Sequence, residues 1–203
     1  LEEEIKNNKY EVIGCLYNND YKNLETPVEE GTKIELIDIS SKEGMKIYVR
    51  TLVYIMGKAF ENLYQREKIM VEYQLGNAMY CKCDNIQITD EFITKLKNEM
   101  QKIIEKDEKI TKVEMTRKEA EKFYEENNSS RGRLQFNLKG NKPIYMYYCG
   151  NYYNYCYGTL ANRTGIIKIF DVIKYGDGFL IRYPSSKEPT KMPEFHETKK
   201  LAW

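Results

Sequence analysis

The sequence predicts an α+β fold in which a mainly antiparallel sheet packs on one central helix. Three observations carry this. Residues 43–60 form the strongest apolar helical pattern in an otherwise polar chain, with Ile47, Val49, Leu52, Val53, Ile55, Met56 and Ala59 making a surface wide enough to be covered on more than one side. Short alternating segments bounded by Asn, Asp and Gly turn signals recur on both sides of that helix. The second half is strand-rich and aromatic, with 18 tyrosines in 203 residues and a dense run from Tyr145 to Tyr157. That run reads either as sheet-face packing or as the lining of a partly polar cleft.

Taken in order, residues 1–8 read as the last turns of a helix closed by Asn7-Asn8, and Tyr10 to Tyr17 alternate as a strand. Asn18-Asn19-Asp20 turns the chain into a short strand over 21–24, and a further strand follows over 33–39. Helix, hairpin, turn and strand in this order describe the back half of a small β-grasp module, assigned to residues 1–41. Ser40 or Ser41 caps the central helix, Glu43 places an acid in its first turn, and the helix runs to about Leu63.

Strands over 69–74 and 78–83 flank Gly76-Asn77, a favoured hairpin turn. Thr89 starts a helix whose apolar stripe is Phe92, Leu96, Met100, Ile103 and Ile104. After a strand over 110–115, Thr116-Arg-Lys-Glu119 is a capping box opening another helix, which ends at Asn127-Asn128. Strands are then expected over 133–138, 144–149, 152–155, 165–174 and 179–183. Residues 42–184 form the main domain, whose sheet after Ile69 should cover the central helix. Pro184, Pro189 and Pro193 mark 185–203 as a linker, with 197–203 opening a helix of a following domain.

Composition narrows the function. With 32 Lys and Arg against 31 Asp and Glu, the formal net charge of +1 gives no global reason to expect nucleic acid or an anionic membrane as partner. No apolar run approaches the roughly 18 residues of a membrane span, and the Glu-, Lys- and Asn-rich start is no signal peptide. Five cysteines without a disulfide-framework spacing read as reduced thiols, so a cytoplasmic protein is expected and the Asn127 and Asn162 sequons carry no meaning. A start at Leu1 and an end at Trp203 within a helical pattern read as a piece of something larger.

Two polar residues interrupt the central helix: Arg50 and Tyr54, four apart and therefore on one face. They read either as an anion- or ribose-recognising pair or as a buried Arg held by a structural acid or carbonyl. Cys81-Lys-Cys83 puts two thiols on one strand face and, with Cys149 or Cys156, offers either a thiolate zinc site or ordinary buried cysteines. Cys156 as a nucleophile needs a base within reach, and the one histidine, His196, lies in the expected linker. Arg131-Gly-Arg133 with Lys139 and Lys142 reads as solvated loop charge or as a phosphate contact.

The order of these segments resembles the amino-terminal region of threonyl-tRNA synthetases, a β-grasp module followed by the second additional domain shared with alanyl-tRNA synthetases and stand-alone editing proteins. The resemblance is carried by Glu29 to Ile39, Lys42-Glu-Gly-Met45, Gly76 to Asp84, Ile88-Thr-Asp-Glu91, Glu99 to Ile104, Thr116 to Phe123, Gly150 to Cys156 and Thr164 to Phe170. It implies hydrolysis of mischarged aminoacyl-tRNA by two histidines four apart and a Cys-x-x-x-His segment. Those four positions fall here on Arg50, Tyr54, Cys156 and Leu160, so only the cysteine survives. Arg and Leu cannot ligate zinc. The expectation is a degenerate pocket without catalytic residues, metal or cofactor, in which these four side chains converge on an anionic or nucleoside-like ligand.

With its Pro-containing exit, such a region also resembles the front of bacterial uridine kinase-like proteins. That resemblance implies a following P-loop nucleoside kinase domain, with ATP and Mg confined to it, since this chain has no phosphate-cradling motif. Alternative expectations are an editing hydrolase with an altered site and a tRNA-binding module, with tRNA as partner.

Overall fold

A computed structural model describes residues 2–65, 67–126 and 143–195. The first elements follow the chain's local chemistry. Helix α1 (Glu2–Asn7) leads into β1 (Val12–Tyr17), which pairs antiparallel with β2 (Asp20–Lys22) on one side and β3 (Ile34–Asp38) on the other. Asn18 and Asn19 form the two-residue turn between β1 and β2 at φ of 51° and 59°, a left-handed conformation that asparagine tolerates.

Helix α2 (Lys42–Leu63) starts where Ser41 Oγ accepts the Gly44 N–H at 2.9 Å. Hairpin β4 (Ile69–Gln74) and β5 (Ala78–Cys83) turn at Gly76-Asn77, with Gly76 at φ 57°. Helix α3 (Asp90–Glu105) is capped by Thr89, whose Oγ1 accepts the Phe92 N–H. Strand β6 (Thr111–Met115) precedes α4 (Arg117–Glu126), where Thr116 and Glu119 exchange backbone-to-side-chain hydrogen bonds at 2.7 and 3.3 Å, a capping box. Strands β7 (Ile144–Cys149), β8 (Tyr152–Tyr155), β9 (Asp171–Tyr175) and β10 (Gly178–Arg182) follow.

The α+β class and the antiparallel pairing hold throughout, but the strands after Ile69 make two sheets rather than one. The order is β4-β5-β10-β9 in one and β6-β7-β8 in the other. Alternation marks a strand's faces and not its neighbour, so the pairing of β5 with β10 across the chain had no local signal. The first sheet and α2 share one core: Ile13 and Ile39 pack in the same cluster as Leu52, Ile55, Met56, Leu96, Phe179 and Ile181.

The strand expected over 165–174 is shorter. A 3-10 turn occupies Thr164–Ile166 and strand geometry begins only at Asp171. Side chains take the backbone groups a ladder would have used: Asp107 Oδ1 accepts the Gly165 N–H, and Tyr48 Oη bonds Ile169 N–H and C=O at 2.9 and 2.8 Å. Where the sequence reading begins a linker, Pro184 and Pro189 are buried, Arg182 donates to the Pro193 carbonyl, and Phe195 packs edge-on against Tyr175. The strand expected over 133–138, the basic stretch Arg131 to Lys142, the helix end at 127–128, His196 and the helix start at 197–203 lie outside the described residues.

Candidate functional site

Opposite its apolar surface, α2 carries Arg50, Tyr54 and Lys58 at successive i, i+4 positions. Strands β7 and β8 and the segment 156–161 lie over this stripe. Close approach needs a glycine: a Cβ on Gly57 would sit 2.4 Å from Tyr152 Oη, so the Tyr152 ring can cross the helix only because that side chain is missing. Segment 156–161 is anchored from both sides. Thr51 Oγ1 accepts the Ala161 N–H at 2.9 Å, and Thr159 Oγ1 donates to the Tyr21 carbonyl at 2.8 Å.

Tyr54 is buried, and its hydroxyl donates to the Tyr147 carbonyl at 2.9 Å with the Tyr152 carbonyl at 3.4 Å. Its ring meets those of Tyr147 and Tyr152 edge-on, with centroids 6.5 and 5.0 Å away. Burial pushes its hydroxyl pKa well above the usual phenol range. Tyr147 in turn donates to the Gly158 carbonyl at 2.9 Å. Leu160 is fully buried in the same cluster, and Cys156 packs against it.

Arg50 is half-buried and lies against Gly158, whose φ is +109°. A Cβ at Gly158 would be 2.9 Å from Arg50 Cζ. Among the described residues its guanidinium has neither a hydrogen bond nor an ion pair, which sets aside the structural-acid reading for them. The Cys156 thiol feels this charge, yet burial outweighs it and pushes the thiol up to about 11. At neutral pH Cys156 is therefore a thiol and a poor nucleophile. Tyr157 beside it is 74% exposed.

One turn beyond Tyr54, Lys58 is 7% exposed and makes a 2.7 Å ion pair with Glu108 and a 2.7 Å hydrogen bond to the Cys149 carbonyl. The Cys149 thiol completes the group, 3.5 Å from Lys58 Nζ and 3.6 Å from Glu108 Oε2. The hydrogen bond from Lys58 holds the Glu108 carboxyl below the usual carboxylate range, against the opposing effect of its partial burial.

The fold thus brings Tyr54, Cys156 and Leu160 into one cluster with Arg50 beside Cys156. The Tyr54 hydroxyl, held by two backbone carbonyls, has no donor left for a ligand. These side chains do not fit a zinc ion: one is a fixed cation, one a hydrocarbon, and the phenol is engaged by carbonyls. Among the described residues no group of three His, Cys, Asp or Glu is gathered for a metal. Cys81 and Cys83 belong to the other core, each pushed up to about 12, first by burial, and they do not join Cys149 or Cys156. Sequence reading passed over Lys58 and Glu108. Extending the Arg50–Tyr54 spacing by one turn would have found Lys58, but nothing local marks Glu108 as its partner.

This arrangement, antiparallel sheets about one central helix with a polar stripe under a Tyr-rich hairpin, defines an α+β domain of editing-domain-like architecture. Comparison with known proteins narrows the class. No family model matches. The chain is 31% identical to the probable cytoplasmic threonine–tRNA ligase of Enterocytozoon bieneusi over 166 residues, which are 80% of this chain and 25% of that protein. It is 26% identical to the threonine–tRNA ligase of Caldanaerobacter subterraneus over 171 residues, and 27% identical to that of a Geobacillus species over 173. It is therefore threonine–tRNA ligase-like over about four fifths of its length, and spans about a quarter of the length of these curated relatives. No helix among the described residues is long and apolar enough to cross a membrane.

Proposed function

We propose that this chain is a binding rather than a hydrolysing version of an editing-domain-like region, and that Arg50 receives a small anionic or nucleoside-like ligand. One observation carries the reading. Of the side chains at the four matched positions, two are committed to the fold, Tyr54 by its carbonyl partners and Leu160 by full burial, whereas Arg50 presents a half-buried guanidinium with no protein anion among the described residues. A guanidinium so placed suits a carboxylate or phosphate, which it meets with two parallel N–H donors. The first 41 residues are read as part of a β-grasp module. In its full length the protein acts in the cytoplasm, with a nucleoside kinase domain downstream that uses ATP and Mg.

The test is a titration of the 203-residue chain with inorganic phosphate and with acetate, followed through backbone amide resonances. Shifts centred on Arg50 and residues 156–158, lost in Arg50→Gln, support the reading. Equal shifts in Arg50→Gln would contradict it. A P-loop motif encoded within a domain's length after Trp203 supports the kinase connection, and its absence there would end it. A second reading compatible with the resemblance to threonine–tRNA ligases is an aminoacyl-tRNA hydrolase with an altered site, for which metal-dependent deacylation is the signature.

A further inference from the structure

Segment 156–161, the wall beside Arg50, is held by three elements at once. Tyr147 Oη of β7 donates to the Gly158 carbonyl, and Thr51 Oγ1 of α2 accepts the Ala161 N–H, each at 2.9 Å. The third holder is β2, whose Tyr21 carbonyl accepts the Thr159 hydroxyl at 2.8 Å, a bond between residues 138 apart in sequence. Thr159 is 9% exposed, so this bond is largely shielded from water. Glu25 and Glu11 make further ties from the same end of the chain, to Lys109 at 2.6 Å and to Arg163 at 2.9 Å, but with side chains a third or more exposed, where water and salt weaken them.

Gly158 is the point at which these bonds bear on the site. The Arg50 guanidinium rests against it: a Cβ there would stand 2.9 to 3.1 Å from Arg50 Cζ, Nε and Nη1. The backbone at 158 therefore bounds the space the guanidinium occupies, and a shift of that backbone moves the guanidinium with it. Thr159 fixes this backbone from the following residue. β2 itself is a three-residue edge strand without a buried residue, paired with β1 alone among the described residues. It is the least anchored strand of its sheet, whereas β1 carries the fully buried Ile13 in the core shared with α2.

We infer that β2 is a positioning element of the Arg50 site: through Tyr21 and Thr159 it sets Gly158, and Gly158 sets the guanidinium, so that anion binding at Arg50 and the seating of β2 on β1 stabilise each other. Thr159 is the positioning residue and touches no ligand. The inference rests on the reading of Arg50 as the receiver of an anion. Its consequence is reciprocal, because a seating that raises affinity for the anion is itself strengthened by the anion to the same extent. A surface strand outside the site thereby controls it, and whatever draws β2 away from β1 lowers affinity at Arg50.

Two variants separate the hydroxyl from the shape of the side chain: Thr159→Val removes it and Thr159→Ser keeps it. Inorganic phosphate is titrated into the 203-residue chain and both variants, against chloride of equal ionic strength, with amide resonances as readout. Amide hydrogen exchange of residues 15–22 is measured with and without phosphate. Thr159→Val should bind phosphate about fivefold more weakly, the scale of one hydrogen bond, while Thr159→Ser stays within about twofold of the parent. Phosphate should slow exchange at residues 15–22 in the parent and in Thr159→Ser, and not in Thr159→Val. A merely structural Thr159 would lower the stability of Thr159→Val and leave the affinity of the folded protein as it was; that result, or equal slowing of exchange in all three proteins, would overturn the inference. If the parent binds no phosphate, the Arg50 reading fails, and the Arg50 Nε resonance without ligand then decides the positioning: moved by Thr159→Val and kept by Thr159→Ser, the positioning stands; unmoved in both, it falls.

Discussion

On one face of α2, Leu52, Ile55 and Ala59 share one apolar core with α3 and the β4-β5-β10-β9 sheet. On the other, Arg50, Tyr54 and Lys58 meet β7, β8 and the 156–161 segment through hydroxyls, a half-buried ion pair and aromatic edges. The first face tolerates any hydrophobic set of the right volume. The second depends on each partner being present, since removing one leaves another unsatisfied in a low-dielectric setting. Such a face keeps its shape only while these partners stay together, and it does so here in a chain that is threonine–tRNA ligase-like over about four fifths of its length.

The comparison breaks most visibly at Lys58. Lys58→Ala should cost about 1–3 kcal/mol by leaving the partly buried Glu108 carboxylate and the Cys149 carbonyl without their donor, and Lys58→Met/Glu108→Gln should recover most of it. Leu52→Ala should cost about as much through its cavity, with no paired rescue. The two are separated by acid. The folded Glu108 pKa is depressed, so its ion pair contributes fully above the unfolded value and is lost as pH falls through the folded one. The deficit of Lys58→Ala should therefore shrink on acidification, while that of Leu52→Ala stays constant; urea denaturation across pH measures both.

A smaller effect is expected at Gly158. Gly158→Ala sets a Cβ at positive φ and 2.9 Å from Arg50 Cζ, so about 1–2 kcal/mol should be lost. Arg50 must then shift, and phosphate affinity should fall more in this variant than in other variants of equal stability. Smallest is Tyr54→Phe, which removes one buried hydroxyl and should cost about 1 kcal/mol in thermal unfolding. Phosphate affinity should stay unchanged in that variant, and its loss in protein that remains folded would contradict a purely structural Tyr54.

Much of the fold was legible because its signals are local. Ser41, Thr89 and the Thr116–Glu119 pair announce helix starts, and the Asn18-Asn19 and Gly76-Asn77 turns announce hairpins. The division into two sheets was not, because β5 pairs with a strand about a hundred residues away. Nor was the late start of the strand expected over 165–174, where Asp107 and Tyr48 supply hydrogen bonds from distant elements. At the site, the spacing of Arg50 and Tyr54 placed them on one face, but only the structure shows that one hydroxyl is spent on carbonyls while the guanidinium beside it has no such partner among the described residues. Lys58 was readable as a third member of the stripe, and Glu108 was not.

The central claim is that the stripe on α2 binds without hydrolysing, and deacylation tests it most directly. The 203-residue chain is incubated with a mischarged aminoacyl-tRNA, with and without added zinc, and release of the amino acid is followed against a protein-free control. Release at the control rate in both conditions is the predicted result. Turnover above the control, and above all turnover that rises with zinc and falls in Arg50→Gln or Cys156→Ser, would contradict it.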